Sequence, residues 1–389
     1  MLLTNKHIAI VGGGPGGLTL ARLLHLNNHT NAFKIKVYER DLDKNARVQG
    51  APLDLHDESG LAALHKAQLI DAFKANFLPG ADRKKIVNDQ AEVFYSDHDS
   101  KLEENFGDEH FRPEIARGTL RRILLESLPP EMVIWNSHFV SMEKQNEGWL
   151  LHFNNGDSAY ADIVIAADGA NSKIRPYITD IKPFYSGILM LEGNIYNAHN
   201  TAPQISILLN GGKIMAFGNE KDLLLGQKGD DEIGFYASFR APENWATASG
   251  LDFNNNQQVA EWFKKNYHKW APIWHELFEA TAPPFIPRPI YCMPLDQTWT
   301  SLPNLTIIGD AAHVMPPFAG EGVNMAMLDA LELSENLTSN QFSTLVDAIS
   351  DFEEKMRNRA ASAAKESLEN GEVMHSATAL ESILTFFKG

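Results

Sequence analysis

The sequence predicts an α/β fold, and three observations carry that prediction. A β-branched run, "HIAIV" (His7 to Val11), leads through the glycine-rich "GGGPGG" into "LTLARLLHL", whose leucines recur at helical spacing. Two later apolar runs end in turns that contain Asp168-Gly169 and Gly309-Asp310. Between about Tyr185 and Arg288, short apolar runs alternate with Gly, Asn and Asp turns and read as a mostly antiparallel sheet.

The bulk numbers narrow the classes. The chain has 389 residues, enough for two domains. Its net charge is −16, with 50 acids against 34 Lys and Arg, and it has no basic run of five or more. Nucleic acid and anionic membrane are poor partners for such a surface, because phosphates need clustered positive charge. The single cysteine, Cys292, can form neither an internal disulfide nor a zinc site, and in "PIYCMPL" it reads as a small core residue of a buried strand. The start lacks the features of a signal peptide, and no run of about 18 apolar residues occurs. A cytoplasmic protein without stable membrane association is expected. A monomer is also expected, although no residue pattern argues it.

The first element is a strand that feeds a helix through Gly12-x-Gly14-x-x-Gly17. In such a unit the first glycine permits a tight turn. The second lets a pyrophosphate approach the backbone, and the third lets helix and strand pack closely. The second strand, "FKIKVYER" (Phe33 to Arg40), carries Glu39, where an acid meets a ribose 2′-hydroxyl. An acid there favours an unphosphorylated adenosine ribose, so FAD or NAD. Next, "ARGTLRRILLESL" places Arg117 and Arg121 at i, i+4 on one helix face, which is either a ligand face or a solvated one. "ADIVIAADGANSKIR" follows as a strand, Asp168-Gly169, and a polar turn with Ser172 and Arg175.

The middle strands are read in "YSGILMLEGNIY", "QISILLN", "GKIMAFG", "DLLLGQ" and "EIGFYASF". "QQVAEWFKKNYHKWAPIWHELFEA" reads as one or two helices, with Trp262, Phe263, Trp270 and Trp274 in a core. "APPFIPRP" reads as punctuation. "LTIIGDAAHVMPPFAGEGVN" is a strand, Gly309-Asp310, and a stiff apolar loop before a helix from Met325 to Leu337. His313 in that loop reads as structural and not catalytic, and no metal-ligand spacing appears around it. After Asn340, Leu345, Ile349, Phe352 and Met356 mark an amphipathic helix, and "ATALESILTFF" is a short apolar helix expected to pack on the body.

GxGxxG, DG with a downstream arginine, and GD, in this order, resemble the group A FAD-dependent monooxygenases of the para-hydroxybenzoate hydroxylase type. The resemblance spans residues 7 to 324. It implies a Rossmann-like, glutathione-reductase-like FAD-binding domain in two segments, 1–180 and 289–339. An inserted substrate domain spans 181–288, and C-terminal helices at 340–389 bridge the two. It also implies NADPH or NADH as a transient co-substrate, since a second GxGxxG is lacking, and oxygenation through a C4a-hydroperoxyflavin. The helix N-terminus at Gly322, Val323 and Asn324 would face the flavin N1–C2=O edge. Pro317 and Phe318 would wall the site, and no side chain need act as the catalyst. A flavin-dependent hydroxylase of another phenolic metabolite is the alternative reading, followed by a halogenase or a non-catalytic flavoprotein. The halogenase motif Trp-x-Trp-x-Ile-Pro is not found.

Several stretches are closer still to the tetracycline-inactivating flavin monooxygenases: "VYERD", "ARVQGAPLDLH", "RPEIARGTLRRILLESLP", "GDAAHVMPPFAGEGVN" and "ENGEVM". By that resemblance Glu39, Arg40, Arg47, Asp54, Arg117 and Asp310 contact FAD, with Arg47 open to the nicotinamide cofactor as well. The substrate positions depart from that subfamily. Glu192, Lys213 and Gly234, followed by Tyr236, stand where it has Gln, Arg and His contacts, while Met215, Pro317, Phe318, Asn370 and Met374 match. The expected substrate is an aromatic or enolic polycycle, with a tetracycline-like antibiotic as one case.

Overall fold

The computed structural model describes residues 2–46, 50–98, 105–108, 111–229 and 231–388. In chain order the elements start with β1 (His7–Val11), α1 (Pro15–Leu26), β2 (Lys34–Tyr38), β3 (Leu53–Asp54), β4 (Lys84–Asn88) and β5 (Val93–Ser96). Next are β6 (Glu114–Ile115), α2 (Arg117–Glu126), β7 (Val133–Ile134), β8 (Phe139–Gln145), β9 (Gly148–Phe153), β10 (Ser158–Ala161) and β11 (Ile163–Ala166). Then come β12 (Phe184–Ile195), α3 (Pro203–Leu209), β13 (Lys213–Gly218), β14 (Lys221–Lys228), β15 (Glu232–Arg240), α4 (Asn256–Asn266), α5 (His275–Glu279) and β16 (Ile286–Cys292). The chain closes with β17 (Leu305–Ile307), α6 (Gly322–Thr338), α7 (Leu345–Met374) and α8 (Ala379–Lys388).

Three strands made of near-continuous apolar or β-branched runs, β17, β11 and β1, pair in parallel with the alternating β2, and β7 joins at one edge, in the order β17-β11-β1-β2-β7. Ile8, Ile10, Val37, Val164 and Ile165 are buried because helices cover this sheet, as parallel sheets require. A small antiparallel sheet, β10-β9-β8, sits beside it.

The second large sheet runs β16-β12-β15-β14-β13-β4-β5. All its pairings are antiparallel except β13 with β4. Its strands alternate. Leu189, Leu191, Ile214, Leu223, Leu225, Phe235 and Ala237 face a core closed by α3, α4 and α5. Phe263, Trp270 and Trp274 lie in that core, with Trp262 packed against it.

Two expectations are corrected here. "QISILLN" is the helix α3 and not a strand. Pro203 opens it, Ile205 and Leu209 at i, i+4 bury against the sheet, and Ile207 is 78% exposed. "FIPRP" is not mere punctuation. Ile286–Cys292 forms β16, and its prolines are tolerated because it is an edge strand. The sheet therefore reaches beyond 181–288 at both ends, since β4, β5 and most of β16 lie outside that interval.

The 30-residue α7 ties the two halves together. Ala348, Ile349, Phe352 and Met356 enter the core of the parallel-sheet domain. Ala360 and Ala364 pack with Cys292, Met315 and Met325, and Met374 packs with Ile86 and Phe217 of the second sheet. Cys292 is a fully buried core residue. The amphipathic α8 lies on β13 and β4, with Leu380, Ile383 and Leu384 inward and Phe386 outward. Among the described residues, no helix is long and apolar enough to cross a membrane.

Candidate functional site

Parallel pairing brings four motifs to one edge. Tyr38, Val11, Ala166 and Ile307 are register partners across β2, β1, β11 and β17. The residues that follow each strand share the carboxyl edge: Glu39, Gly12, Ala167-Asp168, and Ile308-Gly309-Asp310. That edge is where a parallel α/β sheet leaves a crevice for a ligand.

The glycines differ in what holds them. Gly12 has φ +114°, and a Cβ there would lie 2.1 Å from the Ala167 carbonyl oxygen. A Cβ on Gly17 would lie 2.1 Å from the Gly12 carbonyl oxygen. Gly14 has nothing within 4 Å of its Cβ position, and no side chain caps α1 at this residue. The turn is thus closed by two glycines and left open at the third, beside unpaired helix N–H groups. The Glu39 carboxylate is pinned at the mouth, where it accepts from the Gly13 N–H at 2.5 Å and the Asp41 N–H at 3.0 Å. Arg40 beside it is exposed.

Asp168 accepts from the Lys173 N–H at 2.9 Å through Oδ2, while its buried Oδ1 has no partner among the described residues. Burial raises its carboxyl. Arg175 links this motif to the next. Its guanidinium donates to the carbonyls of Ala170 and Asp310 at 3.0 Å and of Ala311 at 2.7 Å. Gly309 has φ +59° and packs its Cα face against Ala326, leaving the Asp310 carboxylate exposed near Gly322.

No side chain caps α6 at Glu321, so the first-turn N–H groups at Gly322, Val323 and Asn324 are open. The expected role of Asn324 lies with its backbone N–H, and its side chain is committed to the protein frame. It is fully buried, accepts from the His56 N–H at 2.9 Å and donates to the Asp54 carbonyl at 3.0 Å. Only its backbone remains for a ligand. Arg121, expected to contact the cofactor, is held by protein groups. Its guanidinium donates to Asp41 at 2.7 Å and to the Ala46 carbonyl at 3.3 Å, so it braces the loop after β2. Arg117, four residues earlier, is exposed and donates to the Ala51 carbonyl at 2.9 Å. Arg47 lies outside the described residues. Taken together, the residues present fit a flavin dinucleotide. The open Gly14, two uncapped helix N-termini, the orphaned Asp168 oxygen and the Glu39 and Asp310 carboxylates could hold its phosphates, hydroxyls and ring edge.

The second sheet turns one face toward this crevice. Met215, Leu224, Tyr236 and Glu192 are register partners in one row, and Phe217, Asp222, Ser238, Met190 and Arg288 in the next. Ile188, Met190, Leu224 and Tyr236 pack with Phe318, and Met215 and Phe318 pack with the Met374 cluster. Gly371 lets the Phe318 ring come close, since a Cβ there would lie 2.8 Å from it, and Asn370 donates to the Phe318 carbonyl at 3.3 Å. Pro317 is exposed beside it. The Tyr236 hydroxyl accepts from the Ala51 N–H at 3.2 Å, which joins the sheet face to the cofactor side.

The polar residues expected to meet a substrate are not free-standing. Glu192 is buried and ion-paired with Arg288, so it does not offer a bare negative charge. Lys213 is ion-paired with the buried Glu114, and Lys228 occupies the space that a side chain at position 234 would need. Lys228 in turn hydrogen-bonds Asn194.

Three residues went unread in the sequence. Arg288 sat within a proline-rich string. His375 sits behind Phe318 with ring centroids 5.6 Å apart, donates from Nδ1 to the Gly371 carbonyl and accepts from the Ser238 hydroxyl at Nε2. His56 lies between Asp54 and Glu321, at 3.3 and 3.2 Å. Their partners are distant in sequence, so no local pattern announced them. His313, by contrast, is buried with Nε2 2.6 Å from Asp329, in keeping with its structural reading. Among the described residues, no group of three or more His, Cys, Asp or Glu is arranged to hold a metal.

Residues 298–366 match the family model described as an FAD binding domain. The monooxygenase asqM of Emericella nidulans is 30% identical over 383 residues, covering 85% of this chain and 83% of that protein. The chain belongs to the FAD-dependent monooxygenases. Two solved structures share the fold. Klebsiella pneumoniae HpxO, complexed with FAD and uric acid, superposes with a TM-score of 0.77 at 20% identity, over 97% of this chain and 91% of that one. Tetracycline destructase Tet(55) superposes with a TM-score of 0.74 at 18% identity, over 96% and 90%.

In this monooxygenase the His56 group predicts a pH response. Burial alone would lower His56, but the hydrogen bonds and charges of Asp54 and Glu321 outweigh it and raise it to about 9. Burial alone would raise Asp54, yet His56 and Lys213 hold it at about 2. A histidine raised on folding contributes stability that is complete below its ordinary 6.5 and is lost as pH rises through about 9. Glu114, raised to about 7 chiefly by burial, acts in the same direction at lower pH. Thermal stability is therefore expected to fall between pH 6.5 and 9, by on the order of 1–3 kcal/mol from His56. Melting curves across that range should show a shallower alkaline slope in His56→Gln. An equal slope in the two proteins would remove His56 as the cause.

Proposed function

We propose that the chain is an FAD- and NAD(P)H-dependent hydroxylase that uses dioxygen on an electron-rich aromatic or enolic small molecule, with a tetracycline-like polycycle as one candidate. The observation that carries this reading is the register row Tyr38–Val11–Ala166–Ile307. It sets the glycine turn and the three acids on one edge, opposite an apolar sheet face walled by Phe318. Bound FAD would supply the redox chemistry, passing two electrons from the nicotinamide to dioxygen so that one oxygen atom enters the substrate and the other leaves as water.

The protein's part is to bind, orient and keep dry. The turn at Gly12 to Gly17 and the α1 N-terminus receive the pyrophosphate, and Glu39 receives the ribose. Asp168 and Asp310 orient hydroxyl groups. The α6 N-terminus stabilises negative charge on the ring edge near it. Phe318, Met215, Met374 and Leu224 exclude water from the oxygen-transfer side, and no nucleophile is needed. Support for a tetracycline comes from the matched stretches and from the shared fold with Tet(55), while the paired Glu192 and Lys213 alter the polar contacts.

The test is NADPH and NADH oxidation with oxygen uptake, against a panel of tetracyclines and simple phenols, followed by mass spectrometry. A product one oxygen heavier than its parent is expected. A purified protein that retains no FAD and consumes no nicotinamide with any panel member would sink the proposal.

A further inference from the structure

The face of the second sheet that we read as the substrate side carries an arginine whose outer N–H groups are turned to no acceptor among the described residues. Glu192 is 2% exposed and accepts from Arg288 Nε across neighbouring strands. The two terminal nitrogens of Arg288 have no hydrogen bond or ion pair among the described residues, and its side chain is 41% exposed. Arg288 pairs in register with Met190, which packs with Tyr236 and Phe318, so it stands on the same face as the apolar wall. The Tyr236 hydroxyl accepts from the Ala51 N–H and keeps its own proton to donate. Lys228 and Arg117 lie close enough for their charges to act on one another, and Arg117 and Arg288 both act on Tyr236. Three cations, Arg288, Lys228 and Arg117, thus face this corner of the site against two carboxylates, Glu192 and Glu232, the second opposite Lys228 in the sheet and acting on its charge, so the outer N–H groups of Arg288 are what remains to meet an anion.

We infer that Arg288, oriented by Glu192 and flanked by Tyr236 and Lys228, binds an anionic oxygen of the substrate, either a carboxylate or an enolate, and so selects anionic substrates over neutral ones. This rests on the reading of that face as the substrate side. A guanidinium held through Nε by a buried carboxylate keeps its outer N–H pair fixed in direction, the geometry that a two-oxygen anion needs. Burial and the charge of Glu192 raise the Tyr236 phenol, so it stays protonated and donates. The glutamate that replaces a neutral amide in the resembling subfamily therefore serves as the arginine's counter-ion. Arg288 was not visible as a site residue in sequence, because Glu192 lies 96 positions away.

The test uses the FAD-loaded protein and matched probes, with binding read as the perturbation of the flavin absorption spectrum. One pair is 4-hydroxybenzoate and 4-hydroxybenzamide, and the other is the 4-hydroxycoumarin enolate and neutral coumarin. Wild type is expected to prefer the anionic member of at least one pair by tenfold or more, and the pair that does so tells carboxylate from enolate. Arg288→Gln should bring that preference within about twofold, Arg288→Lys should keep part of it, and Glu192→Gln should weaken it. Equal binding within both pairs, no binding of either anion, or an unchanged preference in folded, FAD-containing Arg288→Gln would overturn the inference. FAD content and oxygen uptake, measured on the same samples, separate this failure from failure of the hydroxylase reading. A yellow, NAD(P)H-consuming wild type without anion preference loses only the Arg288 assignment.

Discussion

Gly12→Ala and Gly14→Ala are expected to abolish or weaken FAD binding for different physical reasons. At Gly12 the backbone has φ +114°, which an L side chain rarely adopts, and the new Cβ would stand 2.1 Å from the Ala167 carbonyl oxygen. Either β1 and β11 separate at their carboxyl ends or the turn rebuilds. Both move the N-terminus of α1, so the protein should melt lower and purify without its yellow colour. At Gly14 the new Cβ meets no protein atom within 4 Å. The apo protein should therefore fold and melt as wild type, while a methyl group fills the space proposed for the pyrophosphate. A loss on the order of 100-fold in FAD affinity, about 2.8 kcal/mol, is expected there. Apo-protein reconstitution with FAD, beside melting curves of both apo proteins, reads the two effects apart. Undiminished FAD affinity in Gly14→Ala would place the pyrophosphate elsewhere.

Asp329→Ala is expected to be the most destabilising single change in the cofactor domain. Asp329 is fully buried and accepts three hydrogen bonds: the Gly309 N–H at 2.8 Å, His313 Nε2 at 2.6 Å and Arg359 Nη2 at 2.9 Å. Burial would raise its carboxyl and lower His313, but their mutual charge and hydrogen bond outweigh burial and reverse both directions. Removing the carboxylate leaves a buried imidazole and part of a guanidinium without their partner, with Arg359 still held by Glu332. Breaking such a pair costs about 3–5 kcal/mol. It also frees the Gly309 N–H, so Asp310 moves and FAD affinity falls with stability. Asp329→Asn keeps an acceptor for Gly309 and should lose less of both. Denaturant unfolding of the three proteins, with FAD content at each step, checks the order wild type, Asn, Ala. Equal stability of Asp329→Ala and wild type would mean that this network does not hold the turn.

Much of the cofactor side was legible because its signals are local. A β-branched run, a glycine turn and a leucine-spaced helix are consecutive, and four strands of the parallel sheet carry a candidate ligand residue at their own ends. Asp168, Asp310 and Glu39 could be picked from sequence for that reason. Asn324 and Arg121, candidates with them, also brace the frame, since the loops at Asp54–His56 and Asp41–Ala46 fold back onto their side chains. No spacing rule reports such a return.

The substrate side was less legible. Strand periodicity marked which residues of β12 to β15 share a face, but not what crosses to meet them. "QISILLN" has an apolar density that suits a strand or a helix, and the sheet surface beneath it decided for the helix α3. The sequence by itself determined the parallel nucleotide-binding unit, the antiparallel insertion and the long bridging helix, since hydrophobic periodicity and turn residues act over a few positions. Only the tertiary structure decided the charges of the site: Glu192 on Arg288, Lys213 on Glu114, and His56 between Asp54 and Glu321. These pairs join strands and loops far apart in sequence, and a buried charge is settled by whichever opposite charge the fold brings within a few ångströms.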